Sequence, residues 1–148
     1  MKRFYLCALI MLGGGTMIGR AAADDEISFY RMLLSEERSV LEAVRGRSVK
    51  DLLKIHNEAM RLAGGDDVQN YKAAAGCFNA YIHLSIAALG YVAAIEPERS
   101  QPIKSTEENA AWGDRIWAEY LGYLANCEKA LGVVSPPDKI SRPSEFLR

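Results

Sequence analysis

The chain has 148 residues, the length of one ordinary domain. Hydrophobic residues make up 49% and charged residues 25%, which excludes a disordered chain, a collagen-like repeat and a polytopic membrane protein. Eighteen basic against nineteen acidic residues give a formal charge of -1, so no general nucleic-acid field is expected.

Residues 1–23 read as a cleaved secretory signal peptide. Lys2 and Arg3 give a positive start, Phe4 to Ile18 is mostly apolar, and Ala21-Ala22-Ala23 offers the small-x-small pattern of a signal peptidase site. The apolar stretch of about 15 residues falls short of the roughly 20 needed to cross a bilayer. Cys7 lies in the removed part. Removing 23 of the 148 residues leaves 125. With Lys2, Arg3 and Arg20 gone, 15 basic residues face 19 acidic ones, a net charge of -4. A mildly acidic chain expected in the periplasm suits neither a polyanion nor an anionic membrane surface.

The remaining chain divides into a helical bundle domain over 24–135 and a polar tail over 136–148. Period-2 alternation and β-branched runs are missing, while Ala, Leu, Glu and Met are common. The first helix is expected over about 25–45, with Ile27, Tyr30, Leu34, Leu41 and Val44 on its apolar face. Ser35, followed by Glu36 and Glu37, has the form of a new helix start that divides this segment in two. The second is expected over 49–63 after the cap-like Ser48 and Asp51, with Val49, Leu52, Leu53, His56, Met60 and Ala63 as its stripe. Gly64-Gly65 closes it with a left-handed terminal residue.

The third helix is expected over 67–95. One stripe holds Tyr71, Ala75, Phe78, Ile82, Leu89 and Val92; another holds Cys77, Tyr81, Leu84, Ala88, Tyr91 and Ile95. A helix apolar nearly all round is the central one of its domain. Pro97 stops it, and residues 96–104 form a polar connection. The capping box Ser105 to Glu108 starts a fourth helix that runs to Leu131, with Ile116, Tyr120, Leu124, Cys127 and Leu131 facing inward and Gly132 closing it. The tail carries one apolar pair, Phe146-Leu147. The fold class is therefore all-α, a compact bundle of four to five helices.

Two cysteines remain after export, Cys77 and Cys127, and an oxidising compartment favours their pairing. Geometry agrees. In an antiparallel hairpin, residues equally far from the turn lie level, and midway between 77 and 127 stands Pro102, inside the expected connection. The bundle is thus expected to carry one inter-helix disulfide. Closing a loop of about 50 residues removes roughly 4 kcal/mol of unfolded-state entropy in the chain model.

Chemistry is harder to place. His56 and His83 lie on helices, and His56 with Met60 or Met32 forms an imaginable axial pair in a haem or metal bundle. No C-x-x-C-H attachment or Glu-x-x-His pair accompanies them, so no cofactor and no metal are expected. Ser39 and Ser85 lack a nucleophile elbow, and cysteines joined in a disulfide are not nucleophiles, so an enzyme is not expected. The adjacent carboxylates Glu36-Glu37, Asp66-Asp67 and Glu107-Glu108 begin or precede helices, whose positive ends they complement. Trp112, Trp117, Tyr120 and Tyr123 crowd the fourth helix, too many for one narrow stripe, so one or two are expected to be exposed or covered by another segment. Trp112, Trp117 and Tyr123 are the candidates for binding a protein partner, since aromatic anchors dominate interface hot spots. Gly76, Gly90, Gly113 and Gly122 each cost about 1 kcal/mol inside a helix, which close helix approach compensates.

The stretch Ser48 to Ala94 resembles the small periplasmic immunity proteins that protect bacteria from type VI secreted amidase effectors, the resistance-associated family. The shared features are an exported helical precursor, the Leu-Leu helix of residues 51–56 and a Cys-then-Tyr helix at Ala75-Gly76-Cys77-Phe78-Asn79-Ala80-Tyr81-Ile82. His56 stands where the family carries a cysteine, and the family's Cys-Pro and terminal Phe-Pro-Cys are absent, with Cys127 as the candidate counterpart of the latter. The resemblance implies a non-enzymatic protein that occludes the active site of a secreted peptidoglycan hydrolase. No contact residue carries over. The expectation is an exported binding or inhibitor protein acting through the 96–104 connection or exposed aromatics of the fourth helix. A haem or metal bundle and a single-disulfide stress chaperone remain as alternatives. The oligomeric state stays open, a homodimer included.

Overall fold

A computed structural model describes residues 17–64, 75–100, 102–134, 136 and 139–148, with the backbone alone at 17–25, 75 and 76. It holds four helices: α1 (Met17–Arg45), α2 (Val49–Ala63), α3 (Ala75–Ile95) and α4 (Thr106–Leu131). Short 3-10 segments follow at Pro97–Arg99 and Pro143–Leu147. No strand occurs among the described residues, and the architecture is a compact all-α bundle. Most of the expected signal peptide and residues 65–74, including Tyr71 and Asp66-Asp67, lie outside the described residues.

α1 is one continuous helix, against the expected division at Ser35. The Ser39 hydroxyl donates to the Ser35 carbonyl at 3.1 Å, one turn back in unbroken helix. The stripe Phe29, Leu33, Glu37, Val40 and Val44 is buried, so the apolar period continues past Ser35 and overrides a local cap signal. Ile27, Leu34 and Leu41 sit at the margins of that face. α1 ends where Arg47, with φ of 52°, takes the left-handed conformation and the Ser48 amide reaches back to the Ala43 carbonyl.

The side chain of Ser48 caps α2 by accepting from the Asp51 amide. The buried face of α2 is Leu52, Ile55 and Ala59, rotated from the expected stripe, and Met60 faces solvent at 39% exposure. Gly64 closes the helix with a right-handed φ of -89°, and Gly65, the other candidate for the expected left-handed residue, lies outside the described residues. Left-handed closure occurs instead at Gly132, with φ of 67°, after α4.

α3 is the centre. It packs most extensively on α4, then on α2, and also touches α1. Cys77, Tyr81, Leu84, Ala88 and Tyr91 are fully enclosed, while Phe78, Ile82 and Leu89 on the other stripe are half-buried. Cys77–Ile95 is long and apolar enough to cross a membrane, but here it is the core helix of a bundle. Cys77 and Cys127 form the expected disulfide, with their Cα atoms 4.7 Å apart. Toward the turn the same two helices touch through glycine. A Cβ built on Gly90 would lie 2.7 Å from the Gly113 Cα, and one on Gly113 would lie 2.8 Å from the Tyr91 ring. Gly122 has open space around it, so close approach does not explain that glycine, and the surroundings of Gly76 are not described.

Candidate functional site

Two polar assemblies decide what this bundle presents to its surroundings. The first is buried. Glu37 of α1 accepts a hydrogen bond from the Tyr120 hydroxyl at 2.8 Å, and Glu128 of α4 accepts from Tyr30 at 3.1 Å and from Lys139 at 2.8 Å. Burial raises the Glu37 carboxyl above the usual range, against the lowering influence of Tyr120 and Lys139. Burial, with the Glu128 contact, pushes the Tyr30 hydroxyl up to about 12. Burial beside Glu37 pushes Tyr120 up as well. These carboxylates thus hold tyrosines in register between α1 and α4, in the manner of satisfied core groups.

The C-terminal residues lock onto this cluster. The Trp117 indole N–H donates to the Ile140 carbonyl at 2.8 Å. The Ser144 amide and hydroxyl reach Asp114 at 3.1 and 2.5 Å, and Tyr91 donates to the same carboxylate. Pro143 is buried, Arg45 lies over the Phe146 ring at 4.3 Å, and Arg47 donates to the Leu147 carbonyl. Residues 139–148, part of the expected polar tail, are therefore docked on the bundle.

This docking corrects one candidate. Trp117 is fully buried, its ring tilted against that of Tyr120 at 5.1 Å and its indole N–H bonded to the C-terminal segment, so it is no surface anchor. Tyr123 is half-buried, with its ring 4.4 Å from that of His83. His83 in turn has Nδ1 2.9 Å from the Asn79 carbonyl and Nε2 3.5 Å from Glu119. His56 is half-buried, and its Nδ1 has no hydrogen-bond partner. Met60, its imagined companion, faces solvent. Among the described residues no group of three or more His, Cys, Asp or Glu is placed to hold a metal ion. Of the two serines weighed as nucleophiles, Ser85 donates to the Ile82 carbonyl and Ser39 to that of Ser35.

The second assembly is the α3–α4 connection, and it brings Trp112 into play. The Asn109 amide is its organiser. Its Nδ2 donates to the Ala93 carbonyl at 2.9 Å and lies 3.4 Å from the Lys104 carbonyl and 3.5 Å from the Ser100 hydroxyl. The Lys104 amide donates to the Ser100 hydroxyl at 3.1 Å. The capping box then fixes the start of α4, with Ser105 and Glu108 exchanging bonds of 2.9 and 3.1 Å. On this braced turn Ile103 stands out at 77% exposure. Beside it runs a cleft of about 620 Å³ floored by Leu53, Leu89, Val92 and Trp112 and edged by Arg99 and Lys104. The Trp112 ring rests against α3 at Gly90.

Sequence reasoning did not find the structural roles of Asn109, Glu37 and Glu128, and it left open whether the C-terminal segment docks. Glu37 carried a readable signal: it falls four residues after Leu33 and three before Val40, on the buried face. Asn109 carried none, since its main partner is sixteen residues away. No family model, curated protein or solved structure matches this chain.

Proposed function

We propose that the chain is an exported, non-enzymatic binding protein that blocks its partner, an immunity-type inhibitor of a secreted peptidoglycan amidase. The partner's active site is occluded by the 96–104 connection. The observation that carries this reading is Ile103, a large apolar side chain on a turn braced at both ends. An exposed apolar residue on a turn held by hydrogen bonds loses less entropy on binding than one on a free loop. The resemblance to resistance-associated immunity proteins points the same way. Export is part of the reading, with the disulfide as its support.

The test is inhibition. Purified 24–148 is mixed with secreted peptidoglycan amidases, any encoded beside its gene first, and cell-wall hydrolysis is followed by turbidity. The expected result is stoichiometric inhibition, weakened at least roughly tenfold by Ile103→Asp, as expected of an interface anchor, with the helical circular dichroism unchanged. Undiminished hydrolysis at excess protein overturns the proposal. Equal inhibition by the variant removes the connection from it.

A further inference from the structure

The charge along the cleft beside Ile103 identifies what kind of partner surface it receives. The cleft continues past Leu53 and Arg99 into a second recess of about 730 Å³, between α2 and the connection. Two of the arginines along this run are already engaged: Arg61 pairs with Glu58 at 2.7 Å, and Arg99 pairs with Glu96. Lys50, Lys54 and Lys104 are exposed and have no carboxylate within ion-pair distance among the described residues. Glu98 is the one lining carboxylate in the same position. An apolar floor thus lies under a rim with surplus positive charge, on a chain whose formal charge is -1.

We infer that this groove is a docking site for an acidic segment of a protein partner, one that lays an apolar side chain on Leu53 and Trp112 and its carboxylates against the three lysines. The inference rests on the binding reading above and names the chemistry of the partner. Charge complementarity selects the occupant: Lys104 at the cleft and Lys50 and Lys54 at the adjoining recess, the last also within the field of Glu36 and Glu58, outnumber the unpaired Glu98 and favour carboxylates over a basic segment. The shape argues against a membrane. Leu53, Leu89 and Val92 lie in the floor of a recess, where lipid tails do not reach, and only Ile103 projects.

The experiment is a ¹H–¹⁵N NMR titration of 24–148 with a synthetic peptide of one leucine flanked by glutamates, beside its glutamine and lysine counterparts. Expected are shifts at the amides of Leu53, Val92, Arg99 and Lys104 and at the Trp112 indole. Binding of the acidic peptide should weaken roughly tenfold or more in the triple variant Lys50→Glu, Lys54→Glu, Lys104→Glu, as expected when contact charges turn repulsive. The same charge change at exposed residues that line neither recess, Arg31, Arg38 and Lys129, should leave binding within about twofold, since exposed charges away from the contact are largely screened. The inference is overturned by an absence of shifts at millimolar peptide, by shifts mapping outside the cleft, or by equal binding of the glutamine peptide. Binding to phosphatidylglycerol vesicles with loss of the same signals overturns it in favour of a lipid surface. The titration needs no hydrolase, so a silent cleft with intact inhibition defeats this inference alone, and a responsive cleft without inhibition defeats only the inhibitor reading.

Discussion

Glu37 occupies a core position of α1, between Leu33 and Val40, yet it carries a carboxyl group. The Tyr120 hydroxyl satisfies one oxygen, but loss of water outweighs that bond and the charge of Lys139, so the carboxyl titrates above its ordinary range. A carboxyl raised on folding contributes stability that is fully present below the unfolded value, about 4.3, and is lost as pH rises through the folded value. Glu37→Gln keeps an acceptor for Tyr120 and removes the ionisation. In urea unfolding the variant should be at least as stable as the parent at pH 7, with the difference vanishing near pH 4. A variant weaker at pH 7 would show that Glu37 is held as an anion by Lys139 and Tyr120. At this scale the sequence misled, because adjacent Glu36 and Glu37 after Ser35 have the form of a helix start. Only the apolar period running through them reveals a mid-helix position.

At the scale of elements, α3 and α4 were the most legible part of the chain. Pro97, the Ser105–Glu108 box and Gly132 mark boundaries with strong local chemistry, and all three lie where the structure ends or begins a helix. The match of Cys77 and Cys127 about Pro102 set the register of the hairpin before any coordinate did. The face of α2 was less legible, since a half-apolar helix of fifteen residues accepts a rotation of its stripe until its neighbours are known. The hairpin also separates two kinds of glycine. Gly90→Ala would press a methyl against the Gly113 backbone, which cannot swing aside, so a loss of about 1–3 kcal/mol is expected despite the better helix propensity. Gly122→Ala meets nothing within 4 Å and should add up to about 1 kcal/mol. Urea midpoints at unchanged slope measure both, and a stabilised Gly90→Ala would contradict the close crossing.

Across the whole molecule, the helices, the disulfide and the C-terminal segment converge on one arrangement. The segment 139–148 ties α1 to α4 through Glu128, Trp117, Asp114 and Arg47. Its polar sequence left its docking undecided, because its bonds go to residues far away in sequence and no local pattern announces them. The disulfide clamps one end of the α3–α4 pair, and Ile103 with its cleft lies toward the other. The account depends on that pair being closed by sulfur outside the cytosol. Intact mass spectrometry of the chain purified from cells, alkylated without reductant, tests this directly. The predicted species begins at Asp24 and carries no alkyl group on Cys77 or Cys127. A chain that retains Met1, or one whose Cys77 and Cys127 are both alkylated, would contradict it.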